Sequence, residues 1–393
     1  MSAELMNLSP DLKRLRDEGY SVEIISNFLL VHDVPYVKSD KTISFGTLVS
    51  TLTLASPERT AQPENHTCFF IGEYPCMNDG IPIQGIKNRS KNEILADGIT
   101  VNHLFSARPD TPYTDYYEKF TTYISLISRE AIVLNPEITA KAFRPIEMTA
   151  KDSVFGYMDT NSSRAKIDPV NNKIKGLKIA IIGLGGTGSY ILDALAKSPV
   201  AQIHLFDGDL FLQHNAFRAP GVASIDDLKK GQTKVAYFTH KYQEIHKGIF
   251  PHEIYITEAN VYELGQFDFV FVCIDRPSIK SFLFPKLVEM KIPFVDTGID
   301  VERGENGLLA MIRVTSGDAN KNDHLPNRVS FAETEGENEY RDNIQIVELN
   351  MLNAAMALLR WKRMFGFYQN LEQEYHSLYS VNSSQLANND NVT

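Results

Sequence analysis

The chain has 393 residues, enough for two domains, and its 43% hydrophobic and 22% charged residues are the balance of a soluble globular protein. Its formal net charge of −10 argues against nucleic acid as the main partner, because phosphate binding needs a basic footprint. Its three cysteines, Cys68, Cys76 and Cys273, form no CxxC pair, so neither a disulfide framework nor a structural zinc is expected.

The N-terminus, MSAELMNLSPDLKRL, lacks the apolar core of a signal peptide, and no run approaches the ~18 apolar residues of a membrane span. That points to the cytoplasm and away from a membrane. Residues 9–18 read as a short helix, with Ser9 as N-cap, Pro10 in the first turn and Gly19 as the stop. Strand-like stretches follow in SVEIIS, NFLLVHDV, residues 42–54 and residues 67–71, with turn chemistry at Ser56-Pro57 and Asn78-Asp79-Gly80. Residues 114–133 repeat Tyr117, Phe120, Ile124, Ile127 and Ala131 at helical spacing. Residues 1–148 therefore read as a β-rich α+β domain closed by a helix, with partner binding as one role open to it. Within it, His66 and Cys68 share a strand face with Phe70, so packing is the better reading than a nucleophile or a metal site.

Residues 149–176 are polar and turn-rich, a linker or arm carrying Arg164. After it, residues 177–182 form an apolar run suited to a strand buried on both faces. Gly183, Gly185, Gly186 and Gly188 follow, then a helical pattern that Ser198-Pro199 stops, then a second apolar strand that ends on Asp207. Such a loop lets backbone N–H groups meet a phosphate at a helix N-terminus. Asp207 lies 19 residues after Gly188, where a ribose-binding acid belongs in NAD enzymes and nucleotide-adenylating enzymes alike.

Downstream residues separate the two. Asp209, Asn215, Arg218 and Lys234 follow, and the run FDFVFVCID ends on Asp275. An Asn, an Arg and a Lys exceed what a dinucleotide needs and suit a triphosphate, with Asp275 available for magnesium. Asp209 reads either as a second ribose contact or as a strand-end cap. Residues 298–314 look like a hairpin turning at Glu305-Asn306-Gly307, followed by a polar, acidic, weakly patterned segment. Residues 343–365 read as an apolar helix or helix pair, and residues 380–393 as a disordered tail.

On GLGGTGS, DGD with Asn215 and Arg218, GQTK and CID, residues 177–315 resemble the ThiF/MoeB-type adenylyltransferases, the fold shared with ubiquitin-activating enzymes. The stretch from Arg218 to Lys234 is longer than is usual there. The first half resembles a domain often fused ahead of bacterial ThiF proteins, on HDVPYV, HTCFFIGEYPCMNDG and FSARPDTPYTDYYEKFTTYI. The resemblance implies an α/β, Rossmann-like ThiF adenylation domain over residues 177–379, preceded by the smaller β-rich α+β domain. It implies ATP and Mg2+ as cofactors, with the glycines and Asp207 on the nucleotide. It places Asn215 and Arg218 on the outgoing phosphates, Lys234 near the α-phosphate and Asp275 on magnesium. It also implies a homodimer in which Arg164 reaches a phosphate, often that of the partner subunit.

The implied substrate is the C-terminus of a ubiquitin-like protein, in a bacterial ubiquitin-like conjugation pathway, with a conjugating-enzyme-like carrier as a further partner. An activator of a sulfur carrier and an NAD-binding Rossmann oxidoreductase are the rival readings. Residues 299–393 contain no cysteine, so the usual thioester in that segment is not expected. Direct transfer to a carrier is preferred over acceptance by Ser330 or Thr334, because no activating base is fixed by sequence.

Overall fold

The computed structural model describes residues 2–148, 153–331 and 344–390. The chain divides into two compact units: Met1–Ser153 with Tyr157–Ser163, and Val154–Gly156 with Arg164–Thr393.

The first unit begins with α1 (Ser2–Leu8) and α2 (Pro10–Asp17). Eight strands follow: β1 (Ser21–Ile25), β2 (Phe28–Val37), β3 (Ile43–Thr51), β4 (Leu54–Ser56), β5 (Arg59–Thr60), β6 (Thr67–Ile71), β7 (Lys87–Ala96) and β8 (Ile99–Ser106). Six of them form an antiparallel sheet in the order β1-β2-β3-β6-β8-β7. Helix α3 (Tyr116–Leu134) starts at Asp115, whose side chain accepts the Glu118 N–H. Its face of Tyr116, Phe120, Tyr123 and Ile127 is fully buried in one core with Leu29, Val31 and Leu48 of the sheet. Burial of each such side chain contributes about 1.5–3 kcal/mol. Cys68 and Phe70 sit in that core, and burial pushes the Cys68 thiol up to about 12, so Cys68 is a packing residue.

Helix α4 (Thr160–Ala165) contains the division between the units, and the second unit then carries α5 (Asp168–Asn171), β9 (Lys178–Ile182), α6 (Gly186–Leu195) and β10 (Gln202–Phe206). Next come α7 (Gln213–Ala216), α8 (Ile225–Lys229), α9 (Lys234–Tyr242), β11 (Ile249–His252), β12 (Phe269–Val272) and α10 (Pro277–Glu289). The chain then forms β13 (Phe294–Gly304), β14 (Gly307–Gly317), α11 (Leu325–Arg328), α12 (Val347–Met364), β15 (His376–Ser380) and β16 (Gln385–Asn389). One eight-stranded sheet results, in the order β11-β10-β9-β12-β13-β14-β15-β16. It is parallel from β11 to β13 and antiparallel beyond.

Alternation along β9 and β12 explains their continuous apolar character. Ile179, Ile181, Phe269 and Phe271 face one core with Ile191, Leu195 and Trp361. Ala180, Ile182, Val270 and Val272 face another with Leu283 and Phe284 of α10. Both faces are covered, so beyond the exposed Lys178 that opens β9 every position is apolar. The protein is thus an α/β Rossmann-like unit preceded by a β-rich unit. Among the described residues no helix is long and apolar enough to cross a membrane.

Two expectations need correction. The stretch 149–176 is not a plain linker: it holds α4 and α5, and Ile174 is fully buried in the second unit's core. The tail from Ser380 is not disordered as far as Asp390, because β15 and β16 pair as a hairpin. Asn382 fastens its turn to β14, accepting the Ala310 N–H at 2.9 Å and donating to the Leu308 carbonyl at 2.9 Å.

The glycine loop is set by contact as much as by freedom of rotation. Gly183 has φ +90°, and a Cβ there would lie 2.6 Å from the Cys273 carbonyl oxygen. A Cβ on Gly188 would lie 1.9 Å from the Gly183 carbonyl oxygen, whereas at Gly185 it meets nothing within 4 Å. Gly188→Ala should therefore destabilise the second unit by about 2 kcal/mol or more, and Gly185→Ala by clearly less. Urea unfolding followed by the fluorescence of Trp361, the single tryptophan, measures this unit. Equal stability of the two variants would contradict the packing.

Candidate functional site

The chain runs β9, β10, β11 in one direction across the sheet and then returns to place β12 and β13 on the other side of β9. Such a reversal opens a crevice at the carboxyl ends of the strands. A cavity of about 260 Å³ lies there. Gly183, Gly185 and Gly186 line it after β9, Asp207 and Asp209 after β10, and Asp275 and Arg276 after β12.

Asp207 is 6% exposed and its carboxylate gathers the loops. One oxygen accepts the Leu184 N–H at 2.7 Å, and the other accepts the Asp209 N–H at 2.8 Å. Lys234, the first residue of α9, points its ammonium at the same site, 2.6 Å from Asp209 Oδ2 and 3.4 Å from Asp207 Oδ2. Thr233 caps α9 by accepting the Ala236 N–H, which fixes the turn from which Lys234 projects. Burial raises the pKa of Asp209, but hydrogen bonds from Lys234 and Tyr255 outweigh it, and the carboxyl ends below its ordinary value.

Arg218 lines the cavity with its Nε buried and unpartnered. Burial lowers its pKa, yet a guanidinium stays charged, so a buried donor there calls for an anion. Asn215 does not line the cavity, and its carbonyl accepts the Arg218 N–H at 3.1 Å. Its Oδ1 accepts the Leu212 N–H at 2.9 Å, while its buried Nδ2 has no partner.

The far side comes from β13 and α12. Thr297, Gly298, Ile299, Asn350 and Asn353 line the cavity. Asn350 accepts from Thr187 Oγ1 at 3.1 Å, and a Cβ on Gly186 would strike its amide at 2.2 Å. The start of β13 is held by a buried ion triad: Asp296 lies 2.8 Å from Lys280 Nζ and 2.7 Å from Arg313 Nη2.

Eight sequence-derived residues thus come together: Gly183, Gly185, Gly186, Asp207, Asp209, Arg218, Lys234 and Asp275. Three stand outside the lining. Gly188 is inside α6, Asn215 is buried in α7, and Arg164 is exposed on α4. Strand β12 ends at Val272, so Asp275 projects from the turn before α10 and not from the strand itself. Cys273 lines the cavity, but burial pushes its thiol up to about 12. Ser330 lies within the described residues and Thr334 outside them. Sequence reasoning missed Tyr255, Arg276, Thr297, Asn350 and Asn353.

A family profile described as ThiF family matches residues 161–340, the segment that builds almost all of this cavity. Residues 161–340 are a ThiF family domain. A second profile, described as a domain of unknown function (DUF6791), matches residues 10–160. Comparison with curated proteins gives no match. Among solved structures, E. coli MccB with MccA-N7isoASN is similar at 17% identity and a TM-score of 0.48, over 56% of this chain and 66% of that one. E. coli MccB with ATP is similar at 18% identity and a TM-score of 0.43, over 56% and 66%. PaaA is similar at 17% identity and a TM-score of 0.44, over 56% and 75%. The chain therefore spans just under two thirds of MccB.

One ammonium, from Lys234, and one half-buried guanidinium, from Arg218, face the ThiF domain's cavity, an arrangement that suits a polyanion. Among the described residues no three His, Cys, Asp or Glu side chains gather to hold a metal ion, so Asp275 offers a single carboxylate. That fits Mg2+, which takes one or two protein carboxylates and fills its shell with phosphate and water. Inorganic tripolyphosphate at 100 times its Kd should stabilise the domain by about 2.7 kcal/mol, and Arg218→Ala should remove most of that gain. Thermal unfolding followed at Trp361 reads the difference. An equal shift in both proteins would show that the anion binds elsewhere.

Proposed function

We propose that the protein is an ATP-dependent adenylyltransferase that activates the C-terminal carboxylate of a ubiquitin-like protein. The observation that carries this reading is the convergence of Asp207, Lys234, Arg218 and Asp275 on one cavity, with the Arg218 Nε buried and awaiting an acceptor. The ThiF match to residues 161–340 supports the same reaction class.

In this reading Asp207 accepts the ribose hydroxyls with its remaining lone pairs, and the backbone of Gly183–Gly186 lies along the nucleotide. A substrate carboxylate oxygen attacks the α-phosphorus. The bond from that phosphorus to the bridging oxygen breaks, and pyrophosphate leaves with the electron pair. Both partners are anionic, so charge neutralisation and alignment make up most of the catalysis. Lys234 donates to the α-phosphate, where charge grows in the transition state. Arg218 holds the departing phosphates, and Asn215 steadies the short helix beside it. Magnesium, held by Asp275, would neutralise phosphate charge.

In this reading the carboxyl tail enters along Gly298, Ile299 and Asn353, which line the cavity on the β13 and α12 side. A homodimer with Arg164 acting on the partner's nucleotide, a cytoplasmic setting and direct transfer to a conjugating-enzyme-like carrier complete the reading. The cysteines support direct transfer. Burial raises the Cys68, Cys76 and Cys273 thiols above their ordinary value, which disfavours a thiolate at any of them.

The test is pyrophosphate exchange into ATP, driven by candidate ubiquitin-like proteins with free C-termini. Lys234→Ala and Asp275→Ala should each lower the exchange rate by about 10²–10³ without changing the fold. Exchange at the wild-type rate in either variant would remove that residue from the chemistry. Tight binding of NAD in place of ATP would overturn the reading as a whole.

A further inference from the structure

The reach of Lys234 depends on a residue that no glycine-loop or phosphate motif contains. Tyr255 sits in the loop after β11 and is 46% exposed, so its ring is not a core residue. Its hydroxyl nevertheless donates to Asp209 Oδ1, the oxygen opposite the one that holds Lys234. The ring lies against Gly208, where a Cβ would come within 2.7 Å of it. The Arg276 guanidinium stands over the ring, 5.7 Å from its centroid. The loop itself is clamped by Asn260, which donates to the Tyr255 carbonyl at 2.9 Å and accepts the Thr257 N–H at 2.7 Å. Tyr255, Asp209, Lys234 and Arg276 all line the one cavity.

An ammonium has three N–H donors and no fixed plane, so acceptors must decide where it points. Asp209 takes one donor at 2.6 Å and Asp207 Oδ2 lies 3.4 Å away, which leaves a third donor for a ligand. Asp209 alone would be a loose anchor, because its side chain is 47% exposed and free to change rotamer. The tyrosine hydroxyl removes that freedom.

We propose that Tyr255 is a positioning residue: it fixes Asp209, and through Asp209 aims the Lys234 ammonium at the phosphates of the bound nucleotide. The inference rests on the nucleotide reading above and adds a part that the ThiF motifs lack. It also gives Asp209 a definite task, as counter-ion and guide for Lys234 in place of a second ribose contact.

The experiment titrates MgATP and, separately, adenosine into the full chain and into Tyr255→Phe by calorimetry. The phenylalanine keeps the ring, its contact with Gly208 and its approach to Arg276. MgATP affinity should fall about ten-fold in Tyr255→Phe, the loss of one hydrogen bond to a charged group. Adenosine affinity should stay unchanged, since it has no phosphate for Lys234 to meet. In an Asp209→Ala background, Tyr255→Phe should have no further effect on MgATP, because the group it acts through is gone. Equal losses for adenosine and MgATP would mean that the tyrosine supports the nucleoside or the fold, and would overturn the proposal. So would an additive loss in the double variant, or unchanged MgATP binding in Tyr255→Phe while the wild type binds. A wild type that binds no MgATP would instead remove the nucleotide reading, and this inference with it.

Discussion

The second unit depends on the Asp207 carboxylate more than on any other single group. A nearly buried carboxylate is costly unless its oxygens are satisfied. Here satisfaction comes from the Leu184 N–H in the glycine loop, the Asp209 N–H in the next turn and the Lys234 ammonium at the head of α9. Three separate pieces of chain are thereby pulled to one point at the carboxyl end of β10. The glycine loop cannot open without losing one hydrogen bond, and α9 cannot shift without loosening its ammonium. The same arrangement that closes the fold leaves lone pairs on Asp207 and a donor on Lys234 for a ligand.

A second charged assembly stiffens the opposite wall. Asp296 is fully buried between Lys280 and Arg313, in ion-pair contact with both. Removal of one partner of a buried set leaves an uncompensated charge and typically costs about 3–5 kcal/mol. Because Asp296 directly precedes Thr297 and Gly298, this triad fixes the strand that faces the glycine loop across the cavity. A Cβ on Gly298 would lie 2.6 Å from the Arg313 guanidinium and would press on the same ion set. The two walls are thus held by separate sets of charges, and the cavity between them has little freedom to collapse.

The near wall is legible in the sequence and the far wall is not. Gly183 to Asp207 is a contiguous strand–loop–helix–strand unit, so its geometry follows from local pattern, and Lys234 and Asp275 follow it in a fixed order. Asn350 and Asn353 sit more than 140 residues beyond Asp207, inside a helix whose apolar residues dominate its pattern. Only the packing of α12 beside α6 and β13 brings their amides to the cavity. Tyr255 lies in an aperiodic loop, where nothing but the fold shows that its hydroxyl meets Asp209. The polar strands are hidden for a related reason. β7 (KNRSKNEILA) and β16 (QLANN) are edge strands with mostly exposed side chains, held by backbone ladders. Composition reports whether a segment has a face to bury, and says nothing of whether its backbone has a partner.

The most direct measurement is a crystal structure of the full chain with magnesium and a non-hydrolysable ATP analogue. The account predicts ribose hydroxyls on Asp207, the α-phosphate within hydrogen-bond reach of Lys234, the outer phosphates on Arg218 and the metal ion on Asp275. A nucleotide whose phosphates avoid Lys234 and Arg218, or one bound outside the cavity between the glycine loop and β13, would contradict it.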